Sequence, residues 1–301
     1  MYGDRVRIVS LLPSANEILF ELGVGDDVVG VTFECDFPAE ARDKRIVSTS
    51  ALPEHLTPAE IDAVVKQRIS AGEDLYHLER GAFADLQPDL VVTQDLCAVC
   101  AVDVSEVDDA LAYLACSADV LTLDPMTLDE VVQSVRDVGA KTGAARTAER
   151  IVDDLERRLD RVRAAVAGRQ RRSVLVLEWT EPAFTAGHWV PDMVEAAGGS
   201  CVLGWPGAKS EGVEWERITQ SGADVVIVSP CGYRLDGAAD LGREVLARDV
   251  LPHDAEVWAI DADAVVVRPG PRVVDGVEAM ASILHPDRAG SPDPTVVLRL
   301  R

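Results

Sequence analysis

Short apolar runs alternate with helical periodicity along the chain, and this alternation limits the possible folds more than any other feature of the sequence. Runs rich in Val, Ile and Leu occupy residues 7–12, 28–32, 90–94, 120–123, 173–179, 225–229 and 265–267. Strands that are apolar on both faces and separated by helices belong to parallel sheets covered by helices, so the pattern predicts an α/β protein. The first four runs lie in one half of the chain and the last three in the other. A chain of 301 residues, 48% of them hydrophobic, has material for two cores.

Between the halves, Leu128, Val131, Val135, Val138, Ile151, Leu155, Leu159 and Val162 keep a spacing of three or four, which predicts a helical segment over 127–166. Thr127 and Glu130 have capping-box spacing at its start. Gly139 and Gly143 interrupt the pattern, leaving one long helix and two consecutive helices both open. The expected organisation is an N-terminal α/β lobe over 1–126, a connecting backbone helix over 127–168 and a C-terminal α/β lobe over 169–301. The two lobes are expected to be Rossmann-like, with parallel sheets. They also echo each other: each opens with a strand, passes through a helix ending near glycine, and later leads into a Pro-Asp-Leu-Val-Val or Ala-Asp-Val-Val-Ile strand around Asp89 and Asp224.

Charge narrows the partners. Against 29 basic residues stand 52 acidic ones, a net charge of −23 that repels nucleic acid and anionic lipid. Only Lys44, Lys66, Lys141 and Lys209 are lysines, and the acids are dispersed, as on a solvated acidic surface suited to high salt. The N-terminal residues enter a strand without the basic, apolar and cleavage regions of an export signal, and no apolar run approaches the roughly 18 residues that a membrane helix needs. The expectation is a cytoplasmic protein with reduced thiols and no membrane insertion. Phosphate-loop, dinucleotide, nucleophile-elbow and zincin motifs are absent, so an enzymatic reading rests on the cysteines.

The string Arg7-Ile-Val-Ser-Leu-Leu-Pro-Ser-Ala-Asn-Glu-Ile-Leu-Phe-Glu-Leu-Gly-Val, followed by Val28-Val-Gly-Val-Thr, resembles the opening of the helical-backbone class of periplasmic binding proteins, and within it the cobalamin-binding branch. Leu86-Gln-Pro-Asp-Leu-Val-Val, the central helical segment, and Glu178-Trp through Thr185-Ala-Gly-His-Trp to Ala197-Gly-Gly extend the resemblance over about residues 5 to 285. It implies two lobes joined by a rigid helix, little closure, and a corrinoid, other tetrapyrrole or metal chelate held in the cleft between them. Lacking a signal peptide or lipoprotein cysteine, the sequence departs from the exported members, and delivery to a membrane permease does not follow.

Four cysteines hold comparable places. Cys35 follows the 28–32 run, Cys97 and Cys100 follow the 90–94 run, and Cys231 follows the 225–229 run. Carboxyl ends of strands form the ligand face of open α/β sheets, so these thiols are candidate ligands of one zinc ion or iron–sulfur cluster. That gives the alternative reading, a cytosolic metalloenzyme or iron–sulfur protein; packing of the thiols as small hydrophobes is the plain counter-reading. Cys116 and Cys201 read as structural. Glu34 and Asp36 flank Cys35 and read as solvated loop acids or supporting acceptors.

In the second lobe the candidate ligand-binding residues are Glu178, Trp179, His188, Trp189 and Arg268. Aromatic faces can stack on a macrocycle and His can coordinate a metal, while a capping or core role for His188 stands equally. Trp205 and Trp215 read as core or lid. Arg268, in Arg268-Pro-Gly-Pro-Arg272, could grip a carboxylate or phosphate, or pair with one of the protein's own acids.

Overall fold

The computed structural model describes residues 6–53, 55–71, 73, 75–78, 85–94 and 117–301. The chain forms two compact units, one of residues 1–124 and 133–152, the other of 125–132 and 153–301. Among the described residues no helix is long and apolar enough to cross a membrane.

In the N-terminal unit the described strands are β1 (Ile8–Ser10), β2 (Val28–Thr32), β3 (Arg45–Ser50), β4 (Tyr76–Leu78), β5 (Leu90–Thr93) and β6 (Asp119–Thr122). Their order is β4-β3-β2-β1-β5-β6, parallel except for β4. Helix α1 (Pro13–Glu21) follows β1, and α2 (Pro58–Ala71) follows β3. Val9, Leu11, Val47, Leu86 and Val91 form the buried cluster on one side of the sheet. Gly30 lets the strands and Leu86 close up, because a Cβ there would lie 2.9 Å from both Leu86 and Val47 side chains.

The central segment is two helices, α3 (Leu128–Lys141) and α4 (Ala145–Val166), separated where Gly143 takes a φ of 73°. Thr127 and Glu130 make the expected capping box: Glu130 Oε2 accepts from the Thr127 amide at 3.1 Å, and the Glu130 amide donates to Thr127 Oγ1 at 3.3 Å. Asp192 Oδ2 adds an acceptor from another element, taking the Leu128 amide at 3.1 Å. On α4, Val152, Leu155, Leu159, Val162 and Val166 recur at helical spacing and are buried.

The C-terminal unit holds β7 (Ser173–Thr180), β8 (Ala183–Thr185), β9 (Ser200–Cys201), β10 (Glu211–Gly212), β11 (Val225–Val228), β12 (Glu256–Ile260) and β13 (Val297–Arg299). Their order is β10-β8-β7-β11-β12-β13, with β9 paired to β7. β7, β11 and β12 are parallel, whereas β8, β10 and β13 run antiparallel to their neighbours, so the sheet is mixed where the sequence predicts a parallel one. The helices are α5 (Val190–Ala196), α6 (Trp215–Thr219), α7 (Leu235–Ala247), α8 (Ala262–Val265), α9 (Val273–Leu284) and α10 (Pro286–Ala289). Leu175, Leu177, Ile218, Val226, Val228 and Val257 fill one side of the sheet.

Residues 265–267 do not form the expected strand. The strand is β12, and Asp261 then caps α8 by accepting from the Ala264 amide at 3.0 Å, which turns the chain into a helix before the valine run ends. Arg268-Pro-Gly-Pro-Arg272 therefore follows a helix, and β13, not the valine run, is the last strand. Arg158 on α4 clamps α9, donating to Glu278 at 3.0 and 2.6 Å and to Asp275.

Candidate ligand-binding site

The carboxyl ends of β7 and β11 place two aromatic side chains together. Trp179, near the end of β7, meets Tyr233, five residues beyond β11, with ring centroids 5.9 Å apart in an edge-to-face arrangement. The Trp179 indole donates to the Glu181 carbonyl at 3.1 Å, which fixes its plane. Both rings are only half-buried, so each keeps apolar surface at the sheet's rim. Burial raises the Tyr233 hydroxyl above its ordinary range, with the Glu244 carboxylate adding to the effect. Tyr233 is a residue that the sequence reading passed over in favour of the neighbouring Cys231.

Glu178 joins four pieces of chain. Its carbonyl accepts from the Cys231 amide at 3.2 Å, tying the loop after β11 to β7. Its carboxylate accepts from the Gly187 amide at 3.2 Å and from the Ser210 hydroxyl. The loop 186–188 is thereby locked to 207–210, and the Gly207 amide donates back to the His188 carbonyl at 3.1 Å. Gly187 permits this closeness, since a Cβ there would sit 2.2 Å from the Ser210 nitrogen. Glu178 thus acts as a positioning residue for the two loops, its carboxylate accepting from both.

His188 is half-buried with its backbone in the left-handed region, φ 52°, and burial, followed by the charge of Lys209, lowers its imidazole pKa from the ordinary value. A neutral ring nitrogen of this kind is a competent metal or hydrogen-bond ligand. Trp189 is only 7% exposed, and its indole donates to the Val266 carbonyl at 2.8 Å. It stands immediately before α5, whose first residues Val190 and Pro191 are buried, and so packs inward with them. Arg268 also takes the intramolecular role, donating to both oxygens of Asp263 at 3.1 and 3.0 Å. Of the other tryptophans, Trp215 carries the Arg248 guanidinium 4.6 Å from its ring, while Trp205 is 56% exposed and so is not a core residue.

Of the four candidate metal-ligating cysteines, two lie within the described residues. Cys35 is buried, with its amide turned back to the Thr32 carbonyl, while Cys231 is exposed; Cys97, Cys100 and Cys116 lie outside the described residues. Among the described residues no group of three or more His, Cys, Asp or Glu side chains is placed to hold a metal ion. Glu34 accepts from the Tyr76 hydroxyl at 3.1 Å and Asp36 pairs with Arg42 at 3.4 Å, so both acids have partners within the N-terminal unit. Burial, reinforced by Glu178 and Glu195, pushes the Cys201 thiol up to about 12, which suits its structural assignment. A separate depression of about 390 Å³, bordered by Leu128, Arg163, Arg171, Asp192 and Glu195, has a charged lining without an aromatic side chain.

Comparison with known proteins gives this geometry a context. The periplasmic binding protein family profile matches residues 8–254. The uncharacterized ABC transporter substrate-binding lipoprotein YvrC of Bacillus subtilis is 26% identical, across 93% of this chain and 80% of that protein. The vitamin B12-binding protein of Vibrio cholerae is 23% identical, across 92% and 88% of the respective chains. Among solved structures, the periplasmic heme-binding protein HutB of Vibrio cholerae superposes with a TM-score of 0.70 at 18% identity, covering 94% of this chain and all of that one (100%). The periplasmic vitamin B12-binding protein BtuF of the same organism gives 0.64 at 21% identity, covering 92% and 95%. The structural likenesses establish a common fold.

Proposed function

We propose that this chain, which belongs to the periplasmic binding protein family, captures a corrinoid on the aromatic rim of its C-terminal unit. Membership makes it a substrate-binding protein of the kind that serves ABC transporters, and the ligand is the proposed part. The observation that carries the proposal is the Trp179–Tyr233 pair at the carboxyl ends of β7 and β11. Edge-to-face rings at a rim leave flat apolar surface for a macrocycle, at a reduced entropic cost because the Trp179 plane is already held. His188, whose pKa is lowered by burial and by Lys209, supplies a neutral nitrogen from the locked loop. A vitamin B12-binding relative similar along 92% of the chain supports a corrinoid in particular.

The test is isothermal titration with aquo-, methyl- and adenosylcobalamin at physiological salt. Binding with one-to-one stoichiometry, weakened by Trp179→Ala, is expected. Absence of heat with all three, together with a Soret shift on titrating hemin, would transfer the assignment to a heme-like tetrapyrrole. Silence toward both classes would remove it.

A further inference from the structure

We infer that the N-terminus of α1, together with Gln94 at the end of β5, forms a site for a tetrahedral oxyanion of the phosphate class. No residue of the C-terminal unit takes part, so the site stands whether or not a corrinoid binds there.

Topology puts the start of this helix where α/β sheets bind ligands. β1 is parallel to both of its neighbours, β2 and β5; the chain passes from β1 to β2 on one side and reaches β5 and β6, on the other, only later. Strand order therefore reverses beside β1, and the carboxyl ends of strands at such a switch point open a crevice. α1 begins at Pro13, just beyond the end of β1 at Ser10.

The first turn of α1 is short of acceptors. Pro13 brings no N–H, and the amides of Ser14 and Ala15 donate to nothing among the described residues, although Ser14 is 2% exposed and Ala15 0%. The Asn16 amide is the first to be used, donating to the Leu12 carbonyl at 3.2 Å. Leu12, at the N-cap, has no side-chain oxygen to offer, and the first turn carries no acid. Buried N–H groups without a partner are rare, because each has given up its bond to water for nothing. Two adjacent ones at the positive end of a helix dipole make the arrangement that holds phosphate groups. Both side chains are small, so a ligand oxygen can come within hydrogen-bond distance of the backbone.

Two side chains add donors that have no partner. Among the described residues the Ser14 hydroxyl makes no hydrogen bond, and neither does the carboxamide of Gln94, which is only 6% exposed. The register of β1 with β5 runs from Ile8 opposite Leu90 to Ser10 opposite Val92, and two residues further on it sets Gln94 beside Leu12. Val9, Leu11 and Val91 belong to the cluster on one side of the sheet, to which α1 contributes nothing. Alternation along β5 turns Gln94 to the other side, where α1 packs on β1 and β2. Two amides, a hydroxyl and a carboxamide nitrogen form a neutral donor set matched to the oxygens of a tetrahedral anion. Glu17, the next acid along the helix, is already engaged.

The test follows the Ser14 amide by NMR while inorganic phosphate is titrated into the full chain, with chloride keeping the ionic strength constant. Pro13-Ser14 is the one Pro-Ser step in the sequence, so ¹³C-carbonyl proline with ¹⁵N-serine isolates this signal. A saturable shift is expected. Affinity should fall about tenfold in Gln94→Glu, whose carboxylate repels the anion, and about threefold in Ser14→Ala. Thermal melting checks each variant, and Ser14→Ala, which removes only an unbonded hydroxyl, should melt as wild type does. Cyanocobalamin separates two sources of the oxyanion: displacement of phosphate would assign the site to the phosphodiester of a bound corrinoid, and phosphate left in place would assign it to the free anion. Absence of a saturable shift, or equal affinity in wild type and the folded variants, would overturn the site and leave the corrinoid reading untouched.

Discussion

The Glu178 carboxylate accepts the Gly187 amide at 3.2 Å, and this one bond links the end of a buried strand to the loop that carries His188. With the Ser210 hydroxyl on its other oxygen, Glu178 holds two loops that are also joined through backbone. Replacing it with Ala should cost about 2–3 kcal/mol in urea denaturation, the range for hydrogen bonds to a charged acceptor whose donors are left unmatched. Glu178→Gln should cost less, because its amide oxygen still accepts from one donor. Gly187→Ala should be comparable to Glu178→Ala, since the added methyl drives the loops apart. Equal stability of wild type and Glu178→Ala would show that the carboxylate does not hold the loops.

His188 gives a pH dependence with a definite sign. Burial, with Lys209 nearby, lowers its folded-state pKa below the usual 6.5. Above that value the ring is neutral in both states and contributes no difference. As pH falls through it the unfolded chain takes up the proton first, so stability drops until the folded-state pKa is passed. Asn tolerates the left-handed backbone and carries no titrating ring, so His188→Asn should lose less stability than wild type between pH 7.5 and 5.5. An identical loss in the two proteins would refute this.

The thiols should differ in reactivity. With N-ethylmaleimide at pH 8, native protein should be modified at exposed Cys231 and spared at Cys201 and at buried Cys35. Thiolate is the nucleophile, and burial suppresses it at Cys201. Peptide mass mapping reads the outcome, and labelling of Cys201 as fast as Cys231 would contradict the assigned burial.

Much of the fold was legible in the sequence because parallel strands covered on both faces leave unbroken Val and Ile runs, as in β11, where all four residues are buried. The antiparallel edges were not. β8, β10 and β13 are two or three residues long, too short to show a period, and their pairing depends on partners distant in sequence. The valines at 265–267 misled because composition favoured a strand while Asp261, a strong helix cap, decided the local geometry. The place of Trp179 near a strand end was legible from the apolar run that leads to it. Trp189 was not, since only the inward packing of the Val190–Pro191 start of α5 shows that the indole is buried. Tyr233 carried a readable signal, an aromatic just beyond the Pro230-Cys231-Gly232 turn after a buried strand, which the adjacent thiol obscured.

The most direct measurement of the account is an indole N–H correlation spectrum of protein labelled with ¹⁵N-tryptophan, recorded during titration with diamagnetic cyanocobalamin. Single Trp→Phe variants assign the five signals. The Trp179 resonance should shift in a saturable manner, while those of Trp189, tied to the Val266 carbonyl, and Trp258, bonded to Glu256 at 3.2 Å, should stay in place. A spectrum unchanged at saturating cyanocobalamin, or one in which Trp189 or Trp258 moves and Trp179 does not, would contradict binding at the rim formed by the ends of β7 and β11.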